Sequence, residues 1–121
     1  MRVAMMIFIG LFLASPASAE NMRAFKTAKT LYNECTGVEE WSPLHAQFQG
    51  YCRNYILGVF DLLMMAEVFY ETPDFCPPEG VKAVEVRDVA VQFLEENKDG
   101  FEYPAPILIK MAFIEEWPCE D

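Results

Sequence analysis

The fold of this chain is decided by the stretch CRNYILGVFDLLMMAEVF, residues 52–69. Its apolar side chains return every three or four residues, which is typical of one face of an α-helix. Further apolar residues lie outside that stripe, and a helix that is apolar on more than one side is expected at the centre of a domain. We therefore predict a central helix that begins near Cys52. The stripe consists of Cys52, Tyr55, Ile56, Val59, Phe60 and Leu63, and the additional apolar residues are Met64, Met65, Val68 and Phe69.

Two residues of this helix call for an explanation. Gly58 costs about 1 kcal/mol relative to alanine inside a helix, so we expect it to mark a close approach between two helices. Asp61 is an acid within an apolar run. A functional carboxylate is one reading, but we favour an acid that is paired with a buried donor, because buried polar groups are nearly always hydrogen-bonded.

Three more stretches have the helical period on either side of the central helix. The valines of the third stretch would also suit a β-strand, but their spacing favours a helix. The first stripe consists of Ala24, Ala28, Leu31, Tyr32 and Cys35, the third of Val86, Val89, Ala90, Phe93 and Leu94, and the last of Ile107, Met111 and Ile114.

Short segments separate these helices. Gly37 is a suitable stop for the first helix, and residues 38–50 form an irregular connection in which Ser42 caps a turn. Residues 72–80 contain three prolines and cannot continue a helix, whereas Pro106 is well placed to begin the last one. The sequence predicts an all-α fold, a small four-helix domain with mostly short links.

The N-terminus has the pattern of an export signal. Arg2 precedes an apolar run over residues 4–13, and small residues ending at Ala19 follow it. The run is about half the length of a membrane span, so we expect a signal peptide over residues 1–19, cleaved after Ala19. The mature domain would then comprise residues 20–121, without stable membrane insertion, in the periplasm.

The mature chain is strongly acidic. It keeps eight of the nine basic residues and all nineteen acidic ones, a net charge of −11. This charge disfavours nucleic acid and anionic lipid as partners and favours a basic protein or peptide. A plain solvated surface would have the same composition.

Four cysteines lie in the mature part, and an even number in a short exported domain indicates disulfides. Spacing alone allows three pairings, but helix order favours Cys35 with Cys52 and Cys76 with Cys119, because antiparallel helices bring these residues to the same ends. A metal site is disfavoured, since no Cys-x-x-Cys pair is present and His45 is the only histidine. No cofactor is expected.

Three patches, taken in order, resemble the Rap/Tai family of type VI secretion immunity proteins. The first is the Cys-x-x-Tyr-x-x-Gly-x-x-Asp pattern of Cys52, Tyr55, Gly58 and Asp61. The second is the Phe-Cys-Pro-Pro-Glu-Gly-Val connector over residues 75–81, which contains Gly80, and the third is the closing Trp-Pro-Cys at residues 117–119. Together with residues 31–35, the resemblance covers roughly residues 30–119.

The resemblance implies a periplasmic protein that binds and blocks a peptidoglycan amidase effector, a cysteine–histidine peptidase, by occluding its active-site cleft. It also implies that a homodimer can form. The matched cysteines and glycines are scaffold, so no contact residue follows from the resemblance. The acidic run and the prolines Pro104 and Pro106 do not match the family pattern.

The contact surface that we predict is the turn between the last two helices, because rigid scaffolded loops often carry recognition. A plain solvated link is the competing reading for any single residue. The predicted partner-binding residues are Asn97, Lys98, Asp99, Phe101, Glu102 and Tyr103.

Two other classes of function compete with inhibition. An acidic envelope-stress or chaperone-like protein could unmask apolar faces as its carboxylates protonate. An enzyme is disfavoured because the cysteines are used in disulfides, His45 stands alone, and adjacent acids such as Glu115 and Glu116 do not face each other on a helix.

Overall fold

The computed structural model describes residues 24–70 and 72–120. The predicted signal peptide, residues 1–19, and its cleavage site after Ala19 lie outside this part of the chain. The all-α prediction is confirmed: four α-helices are present, and the described residues contain no strand beyond a single bridge between Thr27 and Pro104. The helices are α1 Ala28–Thr36, α2 His45–Tyr70, α3 Ala83–Glu96 and α4 Ala105–Glu116, with a 3₁₀-helix Lys98–Gly100 between the last two.

Helix α1 is shorter than the sequence predicts at its N-terminal end. Ala24 is exposed and lies outside the helix, because the helix begins only after Thr27. The Thr27 hydroxyl accepts a hydrogen bond from the backbone N–H of Thr30 at 3.2 Å, and such a cap stabilises a helix by about 1 kcal/mol. The helix ends at Gly37 as expected, where the glycine N–H donates to the Asn33 carbonyl at 2.7 Å.

Helix α2 begins seven residues earlier than predicted, at His45 rather than at Cys52. The carbonyl and hydroxyl of Ser42 accept hydrogen bonds from the backbone N–H groups of His45 and Leu44, at 3.1 and 3.2 Å. The first two turns are mostly polar, so they carry little apolar periodicity. They are held by tertiary contacts instead, since the Gln49 amide donates to the Cys35 carbonyl at 2.8 Å.

Helix α2 contacts α1, α3 and α4, which confirms its central position. Its Ile56 is fully buried, and Phe60 packs against the core. However, the apolar residues outside the main stripe, near the C-terminal end of the helix, do not all enter the core. Met65, Val68 and Phe69 are exposed.

Helix α3 follows the predicted register, and the strand alternative is wrong. Val86, Ala90, Phe93 and Leu94 are buried, and Val89 is half-buried. The N-terminal end of the helix is capped by Glu85, whose carboxylate accepts a hydrogen bond from the Lys82 N–H at 2.8 Å.

The stripe predicted for α4 is on the wrong face of the helix. Ile107, Met111 and Ile114 are exposed, whereas the core is filled by Leu108, Ile109, Ala112 and Phe113. Helix α4 is apolar on nearly every side, so its period does not identify the buried face. The packing of the core shows which face is buried, because the Phe113 ring lies among other aromatic rings.

Those rings form a cluster that joins distant parts of the chain. Phe113 lies 5.4 Å from Phe60, 5.2 Å from Phe75 and 5.6 Å from Trp117, measured between ring centroids. These are the spacings at which aromatic pairs attract each other. The cluster therefore brings together α2, the proline-rich connector and the C-terminal Trp-Pro-Cys, the three patches that carry the family resemblance.

Two disulfides close the fold. Cys35 is bonded to Cys52 and Cys76 to Cys119, with S–S distances of 2.07 and 2.00 Å. These are the pairs that helix order predicts. The predicted pairing is correct although the predicted start of α2 is not, because Cys52 still faces the C-terminal end of α1. Beside the second disulfide, the Cys76 N–H donates to the Trp117 carbonyl at 2.7 Å.

None of the helices in residues 24–70 and 72–120 combines the length and the apolar character that a membrane crossing requires.

Candidate protein-binding surface

The turn between α3 and α4 is held rigidly by the beginning of α1. The backbone N–H groups of Ala28 and Lys29 donate to the carbonyls of Tyr103 and Phe101, at 2.9 and 3.1 Å. In return, the Ala105 N–H donates to the Lys26 carbonyl at 2.9 Å. Three backbone hydrogen bonds thus anchor a segment that is otherwise at the surface.

Two of the six predicted contact residues hold the turn in place. Asn97 is half-buried, and its amide donates to the Phe93 carbonyl at 2.8 Å, which completes the C-terminal end of α3. Phe101 is also half-buried, and its ring centroid lies 5.0 Å from that of Tyr32. These contacts are structural, so part of each of the two side chains is already engaged within the domain.

A third predicted residue, Lys98, takes part in a cluster on the α1 side of the turn. Its ammonium lies 3.0 Å from a Glu95 carboxylate oxygen and 5.4 Å from the centre of the Tyr32 ring. The Tyr32 hydroxyl also donates a hydrogen bond to Glu95. This bond and the adjacent Lys98 hold the pKa of Glu95 below its ordinary value, and Glu95 in turn raises the pKa of Lys98.

The remaining three residues, Asp99, Glu102 and Tyr103, present their side chains to solvent. Neither acid forms an ion pair with another described residue. The structure therefore divides the predicted loop into a scaffold part and an accessible part, and the accessible part is acidic with one aromatic ring.

A groove of about 440 Å³ lies beside this accessible part, and it is called the α3–α4 groove below. Sequence reasoning missed it, because Ile107 and Met111 were assigned to the core. The sequence feature that could have predicted the groove is the number of apolar residues in α4. One buried face cannot hold all of these side chains, so some must remain at the surface. The groove is lined by Phe93, Asn97, Asp99, Gly100, Tyr103, Ile107, Leu108 and Met111.

The structure does not gather the predicted motif residues into this groove. Tyr55 is half-buried, with the Lys26 ammonium 4.8 Å from its ring centre. Burial, and then the charge of Glu34, raise the pKa of Tyr55. Gly80 has a φ of 76°, the left-handed backbone that glycine adopts without strain.

The expectations for Gly58 and Asp61 are wrong. Gly58 is exposed, and an added Cβ would meet no atom of the described residues within 4 Å, so none of the described helices approaches it closely. Asp61 is also exposed and has no ion pair among the described residues, so it is not an acid held by a buried donor. Both residues lie on the outer side of α2. Because α2 has apolar residues on several sides, its sequence period does not show which side faces outward.

That outer side carries a second apolar surface, called the α2 face below. It consists of exposed side chains on the C-terminal half of the helix, and the exposed Asp61 precedes Leu62 at its beginning. The α2 face is formed by Leu62, Met65, Val68, Phe69 and Tyr70.

The described residues contain no group of three or more histidine, cysteine, aspartate or glutamate side chains able to hold a metal ion. His45 is engaged with the backbone, since its Nδ1 lies 2.9 Å from the Val38 carbonyl oxygen. All four cysteines are in disulfides.

A helical scaffold braced by two disulfides, with a rigid acidic turn beside an apolar groove, has the features of a small binding protein. The family model for Rap1a immunity proteins matches residues 27–119, which is 93 of the 121 residues. The chain belongs to this family, and the resemblance seen in the three sequence patches is confirmed. Membership indicates an immunity function against secreted effectors. No curated protein and no solved structure matches the chain.

Proposed function

We propose that this chain is a periplasmic immunity protein that binds and inhibits a peptidoglycan amidase delivered by a type VI secretion system. The observation that carries the proposal is the match to Rap1a immunity proteins over residues 27–119. The amidase and the secretion system come from the Rap/Tai resemblance. In this proposal the chain protects its cell by covering the active-site cleft of the effector, and it has no catalysis of its own.

The turn between α3 and α4 supports the choice of contact surface. A loop that is already ordered loses little conformational entropy when a partner binds, which favours tight association. Three backbone hydrogen bonds to the start of α1 provide that order. Asp99, Glu102 and Tyr103 are the predicted contact residues that remain accessible on it.

The direct test is binding and inhibition with the purified pair. An amidase encoded beside the gene, inactivated at its catalytic cysteine, should form a stable complex with residues 20–121, and the active amidase should stop releasing peptide fragments from peptidoglycan. Deletion of the gene should make cells sensitive to sister cells that deliver the amidase. An amidase that neither binds nor is inhibited, together with a deletion strain that is not sensitive, would exclude the proposal.

Export to the periplasm is part of this proposal, with residues 1–19 removed as a signal peptide. It is supported by the basic, apolar and small-residue pattern of that segment and by two disulfides, which form and persist in oxidising compartments. Intact mass of the protein from a periplasmic extract should correspond to residues 20–121 with four fewer hydrogens. A reduced, full-length cytoplasmic protein would contradict it.

A homodimer is a further part of the proposal, and it would bury the α2 face. The family resemblance implies that dimers can form. The exposed apolar side chains of the α2 face would be removed from water in such a dimer, which favours association. Sedimentation should give a dimer for the wild type and a monomer for Met65→Ser with Phe69→Ser. A monomeric wild type at micromolar concentration would rule the dimer out.

The competing proposal is an acidic envelope-stress or chaperone-like protein with no cognate effector. The exposed side chains of the α2 face favour it to some degree, since apolar surface can capture unfolded chains. An acid titration with an apolar-surface dye distinguishes the two. A chaperone-like protein should bind more dye as its carboxylates protonate, whereas an immunity protein should show no increase above about pH 3.

A further inference from the structure

The α3–α4 groove is built to accept an apolar group. Ile107 and Met111 remain partly exposed at its wall, although Leu108, next to Ile107, is buried. The amide of Asn97, which is half-buried whereas Asp99 and Tyr103 are exposed, donates to the Phe93 carbonyl at 2.8 Å. One of its N–H groups is therefore engaged within α3, and more of the groove lining is apolar than polar, so the interior of the groove offers mainly carbon atoms.

Acidic side chains predominate around the groove. Asp99 lies in its lining, and Glu102 follows in the same turn. Along the seam between α3 and α4, a smaller cleft of about 90 Å³ shares Phe93 with the groove and is lined by three more acids, Glu96, Glu115 and Glu116.

The lysine of the turn and the lysine of α4 do not balance these acids, because both are bound elsewhere. Lys98 is held by Glu95 and lies against the Tyr32 ring. Lys110 lies 2.7 Å from an Asp74 carboxylate oxygen, towards the proline-rich connector. The rim of the groove is therefore left with a net negative charge.

We propose that the α3–α4 groove receives an apolar side chain of the effector that is flanked by lysine or arginine, with the acidic rim pairing to the flanking cations. This inference rests on the proposed function and specifies the chemistry of the bound segment. It follows from charge complementarity: an apolar group fills the carbon-lined interior, and basic neighbours meet Asp99, Glu102 and the acids of the seam. An acidic segment of equal shape would be repelled.

The test uses calorimetric titration with the cysteine-inactivated amidase encoded beside the gene. Met111→Ser should weaken binding by about tenfold or more, since the anchor loses its apolar wall. Asp99→Asn with Glu102→Gln, which changes the net charge by as much as Glu79→Lys does, should also weaken binding, because the flanking cations lose their partners. Val84→Ser and Glu79→Lys are the matched controls, because both residues are exposed and lie away from the groove. Thermal melts should show all of these variants folded.

Photocrosslinking identifies the effector segment that binds in the groove. With benzoylphenylalanine in place of Met111, the crosslinked effector residue should be apolar and should have a lysine or arginine within about two positions. A crosslink to an acidic or purely polar segment would overturn the proposal.

The outcomes separate the two levels of inference. If the wild type binds and the groove variants bind equally well, or if only the control variants weaken binding, the groove is not the anchor site, while the immunity function stands. If the wild type does not bind the amidase, both inferences fall.

Discussion

At the scale of single residues, Tyr32 connects the first helix to the surface that we propose for binding. Its ring packs on Phe101, its hydroxyl donates to Glu95, and the Lys98 ammonium lies over its face. One side chain thus touches both the end of α3 and the turn that follows. The position of that turn depends on exposed polar contacts as well as on the core.

The lowered pKa of Glu95 gives a prediction for stability against pH. The folded protein binds the Glu95 proton less tightly than the unfolded chain does, so ionised Glu95 contributes stability above its unfolded pKa. That contribution is lost as the pH falls through the lower, folded pKa. Glu95→Gln should therefore have a lower Tm than the wild type near pH 7, and the difference should disappear in acid.

Thermal melts from pH 7 down to the acid limit measure this difference. Glu79→Gln is the control, because it removes one charge from the same acidic protein at an exposed site without a Tyr32 contact. A Glu95→Gln profile that coincides with that of Glu79→Gln would contradict the role of the cluster.

Gly58 and Gly37 give opposite predictions for alanine. Gly58→Ala should raise the free energy of unfolding by about 0.5–1 kcal/mol, because the new Cβ meets no described atom within 4 Å and the unfolded chain loses conformational freedom. Gly37→Ala should destabilise, since its Cβ would lie 2.6 Å from the Asn33 carbonyl oxygen. Urea unfolding measures both, and a destabilised Gly58→Ala would show that something packs against that site.

At the scale of elements, α4 shows that neighbouring apolar residues have different roles. Phe113 is fully buried among the aromatic rings, whereas Ile114 faces outward. Helix α4 therefore serves two surfaces, a core face and a face that borders the α3–α4 groove.

Alanine substitutions at these two neighbours should separate the surfaces. Phe113→Ala should cost about 3–5 kcal/mol, through lost burial and the cavity left behind. Ile114→Ala should change stability by no more than about 0.5 kcal/mol. Chemical denaturation of both variants checks the assignment, and equal losses would mean that α4 is turned differently in solution.

The second disulfide ties the proline-rich connector to the C-terminal segment across 43 residues of sequence. In the chain-entropy model, a loop of this length is worth about 4 kcal/mol. Cys76→Ser with Cys119→Ser should therefore lower the free energy of unfolding by about that amount in urea titrations. Loss of less than about 1 kcal/mol would mean that the unfolded chain is barely restricted by this bond.

At the scale of the whole molecule, the net charge of −11 for residues 20–121 governs encounter with a partner. A field of one sign speeds the approach of a basic surface and is screened by salt. The rate of association with the amidase should fall by about tenfold between about 0.05 and 0.5 M NaCl, while dissociation changes little. Stopped-flow mixing measures both rates. An association rate that does not depend on salt would show that electrostatic steering does not contribute.

The sequence alone predicted the number and order of the helices, the buried stripe of α3, the pairs of cysteines and the family. The helices, the stripe and the cysteine pairs follow from local periodicity and chain order. The family follows from the resemblance of the three sequence patches. The sequence also identified the turn after α3 as a surface of interest. It did not reveal that Asn97, Lys98 and Phe101 are engaged within the domain.

Only the tertiary structure decided which side of an apolar helix is buried. The faces of α4 are nearly equal in apolar character. The buried face is the one that carries Phe113, because this ring packs among Phe60, Phe75 and Trp117. The same competition for a limited core left Gly58 and Asp61 outside and exposed Ile107 and Met111. Burial depends on how the helices assemble, because a small core has room for one face of each helix. Apolar side chains that remain outside the core, such as Ile107 and Met111, line the α3–α4 groove.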